Sequence, residues 1–178
     1  PYLTCNVFQV VNGNLRQIDE IMLKAPLNTM KDTCEEFMKR YGTNSHGLFV
    51  YGDATSKKQD TKLQKGQNFY LLIKGYLSKL KPIFRVPKAN PSVLMSRNFT
   101  NDILAGQIEG VTFAVDSKCR NSINDYQYCT EDEEGKVNKK VIRDKINNTS
   151  YQEYGHCTDC LRYVITALWL DKYKKFQR

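Results

Sequence analysis

Apolar and polar positions along the chain switch repeatedly between a period of two and a period near three and a half. In "LTCNVFQVVNGNLRQIDEIML" (3–23), β-branched and apolar residues flank Asn12-Gly13-Asn14. Asn-Gly between two such runs is the strongest short-range signal for a β-hairpin. "NTMKDTCEEFMKRYG" then reads as a helix. Asn28 or Thr29 caps it, Met30, Cys34, Phe37, Met38 and Tyr41 form one stripe, and Gly42 stops it. "GLFVYGDATSK" is a short apolar run broken by Gly52-Asp53, the pattern of a buried strand that delivers an acid at its carboxyl end.

The alternation continues. "NFYLLIKGYLSKL" predicts an amphipathic helix with Phe69, Ile73, Tyr76, Leu77 and Leu80 inward, and "PIFRVP" a strand bounded by prolines. "SRNFTNDILAG" predicts a helix closed by Gly106, and "GVTFAVD" a strand ending at Asp116. "KCRNSINDYQYC" reads as a helix and "TEDEEGKVNKK" as an exposed loop. A last long helix starts near His156 and runs to about Tyr173. Strands alternating with helices after an opening hairpin imply an α/β domain, a mixed sheet with helices on its faces. Ligands of such sheets bind beyond the carboxyl ends of strands, which favours Asp53 and Asp116 over most other acids here.

At 178 residues the chain is long enough for one domain with a real core. No apolar run is long enough to span a membrane. The start at Pro1, without a methionine, looks like a cut from something longer. A formal net charge of +8 favours an anionic partner, of which nucleic acid is the commonest.

Six cysteines, with sequons at Asn98, Asn147 and Asn148, permit a secreted glycoprotein. Against that, the cysteines fall within regular apolar patterns, where a buried free thiol acts as a small hydrophobe. An intracellular compartment is the default expectation. The pair in "YGHCTDCLRYVITALWL" invites a metal or redox reading. At about 100° per residue, however, Cys157 shares a face with Leu161, Val164, Ile165 and Leu168, and Cys160 falls at its edge. A structural zinc site needs four ligands, and neither Cys119 and Cys129 nor His46 and His156 complete the set.

Asp159 points roughly away from that apolar face, in the first turn of the helix, beside His156. A first-turn acid is favoured by the helix dipole alone, and Asp53 could simply cap the turn that follows it. Together the two suggest carboxylates brought to one edge of a sheet, where hard oxygen ligands hold Mg²⁺ or Mn²⁺. Lys57, Lys58, Lys62 and Lys65 follow Asp53 directly, and cations beside a metal-binding acid suit a phosphodiester.

Five pieces in this order resemble the C-terminal nuclease domain of the large terminase subunit of tailed bacteriophages. They are "GNLRQIDEI", "LFVYGDATSK", "RVPKANPSV" with "NFTNDILAG", "FAVDSKCRNSINDYQY" and "GHCTDCLRYVI". The last is similar to the family's His-x-x-Asp-Ala-Leu-Arg-Tyr signature, with Cys160 where alanine is usual. The resemblance covers nearly the whole chain. It implies an RNase H-like fold, a mixed β-sheet flanked by helices on both faces, and a two-metal endonuclease that cleaves concatemeric double-stranded DNA.

In that family three acids hold two ions, Mg²⁺ or Mn²⁺. The resemblance maps the second acid onto Asp53 and the third onto Asp159, with His156 as an accessory ligand or helix-end support, and leaves Asp116 and Asp125 structural. The family's first acid lies on a strand just upstream of the hairpin, so residues 1–178 are expected to form a single nuclease domain truncated at its N-terminus and catalytically incomplete. No Gly-x-x-x-x-Gly-Lys-Ser/Thr loop occurs, so the packaging ATPase is expected on a separate part. The implied partners are double-stranded DNA, the small terminase subunit and the portal, and the implied location is the host cytoplasm. The rival expectations are a non-enzymatic DNA-binding or packaging-motor module on the same scaffold, and another RNase H-like nuclease such as a resolvase or transposase.

Overall fold

The computed structural model describes residues 3–58, 66–131, 138, 141–144 and 149–177. Lys62, Lys65, Asn147, Asn148 and most of the 130–140 loop lie outside the described residues.

The opening segment forms β1 (Leu3–Val11) and β2 (Asn14–Leu23), paired antiparallel from Val11–Asn14 at the turn to Leu3–Leu23 at the open end. Asn12 and Gly13 both take positive φ, 51° and 80°. A two-residue primed turn needs that conformation at both central positions, and asparagine and glycine adopt it at least cost. Pairing slips between Val7 and Phe8, which face Asp19 and Gln17 and leave Ile18 as the extra residue of a β-bulge.

That bulge organises the molecule. One inserted residue inverts the alternation of side chains along a strand. Before it, Leu15 and Gln17 are buried on one face; beyond it, Glu20 continues that face while Asp19 and Ile21 turn to the other. Hydrogen bonding follows the same division. Asp19 meets Arg40 and Tyr41 of α1 (Met30–Tyr41), whereas Gln17 and Glu20 both meet Ser122 of α4 (Arg120–Tyr128). Intervening helices are α2 (Phe69–Tyr76) and α3 (Val93–Leu104).

Each face has its own core. On the α1 side, Ile21, Cys34, Phe37 and Leu77 are buried together. On the other, Leu15 packs with Phe99 and Ile103 of α3, with Leu161, Val164 and Ile165 of α5 (His156–Leu168), and with Tyr173 of α6 (Leu170–Phe176). Burying an aliphatic or aromatic side chain of this size contributes about 1.5–3 kcal/mol, so the second cluster is the larger source of stability.

Five further strands complete the sheets among the described residues. The first, β3 (Phe49–Val50), pairs in parallel with β4 (Ile83–Phe84), while β5 (Phe113–Val115) pairs in parallel with β2 and makes the sheet β1-β2-β5 mixed. A separate hairpin joins β6 (Val141–Asp144) to β7 (Thr149–Gln152). The architecture is therefore mixed α/β, with a small mixed sheet and six α-helices among the described residues. No helix among the described residues is long and apolar enough to cross a membrane.

Several expectations need correction. The sheet is not continuous: β3–β4 and β6–β7 stand apart from β1-β2-β5. The expected buried strand before Asp53 is two residues long, and Phe49 is 42% exposed under the Arg85 guanidinium, 3.8 Å above its ring. Tyr76, placed inward by helical phase, is 39% exposed, because α2 ends there and the chain tightens into a 3₁₀ turn over Ser78–Leu80. The final helix breaks at Trp169, which leaves helical geometry (φ −111°, ψ 45°) and lets α6 fold Tyr173 and Phe176 against Phe99. The Asn98 sequon lies inside α3, with Thr100 buried and bonded to the Ser96 carbonyl.

Candidate functional site

Asp53 stands three residues beyond β3 and caps a 3₁₀ turn over Ala54–Lys57. Its Oδ1 accepts from the Thr55 N–H at 2.7 Å and from Asn90 Nδ2 at 2.7 Å, while Asn90 Oδ1 accepts from the Ala54 N–H at 2.8 Å. Asn90 thus clamps the turn with both ends of its amide. Tyr70 of α2 donates its hydroxyl to the Asp53 carbonyl at 2.8 Å. Gly52 makes that approach possible, because a Cβ there would stand 2.5 Å from the Tyr70 oxygen. Burial pushes the Asp53 carboxyl up, but the Asn90 and Thr55 hydrogen bonds and the Arg162 charge outweigh it and hold the group below the ordinary carboxylate value. Both of these bonds fall on Oδ1, and the Thr55 side chain also holds the carboxylate.

Asp159 lies in the first turn of α5, and its Oδ1 accepts from Arg162 Nη2 at 2.8 Å, an i,i+3 pair. Arg162 is only 4% exposed, and its Nη1 donates to Ser96 Oγ of α3 at 2.8 Å. The two acids act on common neighbours. Arg162 lowers Asp53, and burial followed by the charges of Asp53 and Asp159 pushes the Tyr163 phenol up to about 12. Burial and the Asp53 charge also push Tyr70 up. Asp53, which follows β3, Tyr70 of α2, and Asp159, Arg162 and Tyr163 of α5 are thus linked electrostatically.

Other candidates fall elsewhere. His156 lines a hollow of about 260 Å³ beside Lys24, Asn121 and Asn124, a hollow that neither Asp53 nor Asp159 lines. Asp116 accepts from the Lys118 N–H at 3.0 Å and closes a turn. Asp125 is 3% exposed and accepts from the backbone N–H groups of Gly155, of Cys157 at 2.5 Å and of Thr158 at 2.9 Å. It satisfies the N-terminus of α5, which no side chain of α5's own N-cap, Gly155, could do. Of the basic residues, Lys57 donates to the carbonyls of Val86 (2.8 Å) and Pro87 (3.0 Å), so its ammonium ties down a loop, and Lys58 is exposed.

Every cysteine is a free thiol. Cys157 is buried, its Sγ 3.8 Å from Met22 Sδ, and Cys160 Sγ donates to the Thr4 carbonyl at 3.8 Å. Burial pushes the Cys157 thiol up to about 12 and Cys160 well above its ordinary value, so neither is a thiolate at neutral pH.

As donors, two carboxylates suit a hard divalent cation such as Mg²⁺ or Mn²⁺. Among the described residues no group of three or more His, Cys, Asp or Glu side chains is arranged to hold a metal. The site fits the ion in kind and supplies part of a ligand set. Sequence reasoning had missed Arg162, Tyr70 and Asn90. Helical i,i+3 spacing from Asp159 was a signal for Arg162; Asn90, in a proline-flanked loop far along the chain, offered none.

Set against models of protein families, curated proteins and solved structures, the chain matches none of them.

Proposed function

We propose that the chain is the metal-dependent endonuclease domain of a viral DNA-packaging terminase, an RNase H-like domain acting on double-stranded DNA. The observation that supports this most is that Asp53 and Asp159, distant in sequence, share Arg162 and Tyr163 as electrostatic neighbours. Asp53 and Asp159 are the residues that would hold Mg²⁺ or Mn²⁺. A pair of such ions supplies activation of water and stabilisation of the leaving 3′-oxygen in an in-line displacement. Arg162 orients Asp159, and Asn90 and Tyr70 fix the Asp53 turn. Double-stranded DNA, the small terminase subunit and the portal are the partners in this reading, in the host cytoplasm.

A second reading, non-enzymatic DNA binding on the same scaffold, draws on the Arg162–Asp159 ion pair, which competes with a cation for that carboxylate. Nicking of supercoiled plasmid by the intact protein in Mn²⁺ separates the two. Asp53→Asn and Asp159→Asn should each lower cleavage by more than the roughly 10–100-fold that groups outside the metal's own ligands are worth. Equal cutting by wild type and both variants would overturn the assignment of the acids.

A further inference from the structure

The short parallel pair β3–β4 carries a cation at the same end as Asp53. Phe49 lies opposite Ile83 and Val50 opposite Phe84, and the Arg85 N–H donates to the Val50 carbonyl at 2.8 Å. This register sets Arg85 beside Tyr51, just past the carboxyl end of β4. Side chains alternate along a strand, so Phe49, Tyr51 and Arg85 share one face. Asp53 follows Tyr51 by two residues, at most about 7 Å along the chain. Ligands of α/β sheets bind beyond the carboxyl ends of parallel strands.

Arg85 is exposed, yet it is held. Its guanidinium lies over the Phe49 ring, 3.8 Å from the centroid, and Nη1 donates to the Tyr51 hydroxyl at 3.4 Å. The backbone beyond it is tied down as well, because Lys57 donates to the carbonyls of Val86 and Pro87. Among the described residues no carboxylate pairs with Arg85. Most of the guanidinium's N–H groups are therefore open to solvent or a ligand. Neighbouring cations are already engaged, Lys57 by those carbonyls and Arg162 by Asp159 and Ser96.

A guanidinium ordered by stacking but not neutralised is prepared for an anion. Part of its freedom is lost before binding, and its planar fork matches two oxygens of a phosphate. A net charge of +8 suits the same partner. The group lies back toward Phe49 rather than forward toward Asp53. Phosphates of one DNA strand recur about every 3.4 Å of duplex axis, so a cation set back in this way meets a phosphate that flanks the one at the acids.

We propose that Arg85, stacked on Phe49, is a backbone-phosphate contact for duplex DNA, donating to the non-bridging oxygens of a phosphodiester that flanks the one being cut. Resting on the nuclease reading above, this contact adds a binding residue that touches no metal. Phe49 is its positioning residue.

Arg85→Gln and Phe49→Leu test it in the intact protein. Binding of a duplex oligonucleotide is measured by fluorescence anisotropy in EDTA, over a series of salt concentrations. Each phosphate contact releases counterions, and its loss lowers the log–log salt slope by about 0.9. Arg85→Gln should show that smaller slope and bind about 10-fold more weakly at low salt, the scale of a charge-assisted hydrogen bond. Phe49→Leu keeps the charge and frees the guanidinium, so it should bind about 3-fold more weakly with the slope unchanged.

A wild-type salt slope in Arg85→Gln would overturn the contact even if affinity fell, since a disturbed fold weakens binding without changing counterion release at this position. Wild-type affinity in Phe49→Leu would overturn the positioning by the ring. Mn²⁺-dependent nicking of plasmid by wild type keeps the two proposals apart. An unchanged slope in Arg85→Gln beside intact nicking sinks the contact alone. A reduced slope in a protein whose wild type nicks nothing sinks the nuclease reading alone.

Discussion

Asp125 and Asp53 are both partly or wholly buried acids that accept from N–H groups at the start of a helical turn, yet the structure uses them in opposite ways. Asp125 engages both oxygens with three backbone N–H groups at the head of α5, and nothing is left for a ligand. Asp53 meets a single backbone N–H, that of Thr55, and otherwise the side chains of Asn90 and Thr55. Glu20 belongs with Asp125, since its two oxygens take the N–H groups of Asn121 and Ser122 at the head of α4, along with both of their side chains. An acid whose oxygens are all spent on backbone donors holds the fold together. One that meets a single backbone N–H, beside a fixed arginine, is the candidate for chemistry.

The sharpest way to break this contrast is stability. Asp125→Asn replaces an acceptor by an amide NH₂ facing buried N–H groups, and should cost about 3 kcal/mol or more in urea unfolding. Asp53→Asn keeps the Oδ1 acceptor and should cost less than about 1 kcal/mol. If the two substitutions destabilised equally, the division into structural and available acids would fail.

Acid titration should give a smaller effect. Burial pushes Asp19 up, but hydrogen bonds from Tyr41, Arg40 and the Glu20 N–H outweigh it and hold the carboxyl below its ordinary value, as at Asp53. A carboxylate lowered by folding contributes its stability fully above the unfolded value near 3.9, and loses it as pH falls through the lower folded value. Thermal midpoints should therefore drop below about pH 4, and Asp19→Asn should show a shallower drop than wild type. Parallel acid limbs would show that the Arg40–Asp19–Tyr41 contacts contribute nothing.

Smallest of all should be the reactivity of the cysteine pair. With Cys157 raised to about 12 and Cys160 well above its ordinary value, neither should react with an aromatic disulfide reagent at pH 8 until the protein is unfolded. Rapid native-state modification of either would revive the redox reading of the segment.

Local chemistry was legible in the sequence. Asn12-Gly13 dictates its turn through positive φ, and Thr29 with Asp32 closes a capping box at the head of α1. Asp159 could be separated from its flanking cysteines by helical phase alone, and Cys157 is indeed buried. Features made by distant partners were not legible. No local pattern marks Ile18 as the extra residue that inverts β2, because the slip is defined by its pairing with β1. Asn90 is tied to Asp53 by folding alone. The β6–β7 hairpin pairs short, polar strands such as "TSYQ" that lack an alternating apolar face, and the break at Trp169 involves neither glycine nor proline. His156 is adjacent to the site in sequence, but α5 presents it to a different hollow.

The central claim, that Asp53 and Asp159 are two parts of one cation site, is tested most directly by calorimetric titration of Mn²⁺ into wild type, Asp53→Asn and Asp159→Asn. Saturable binding by wild type, weakened by each substitution and no weaker in the double variant than in the worse single one, is the predicted result. Wild-type binding in both single variants, or none in wild type, would contradict it.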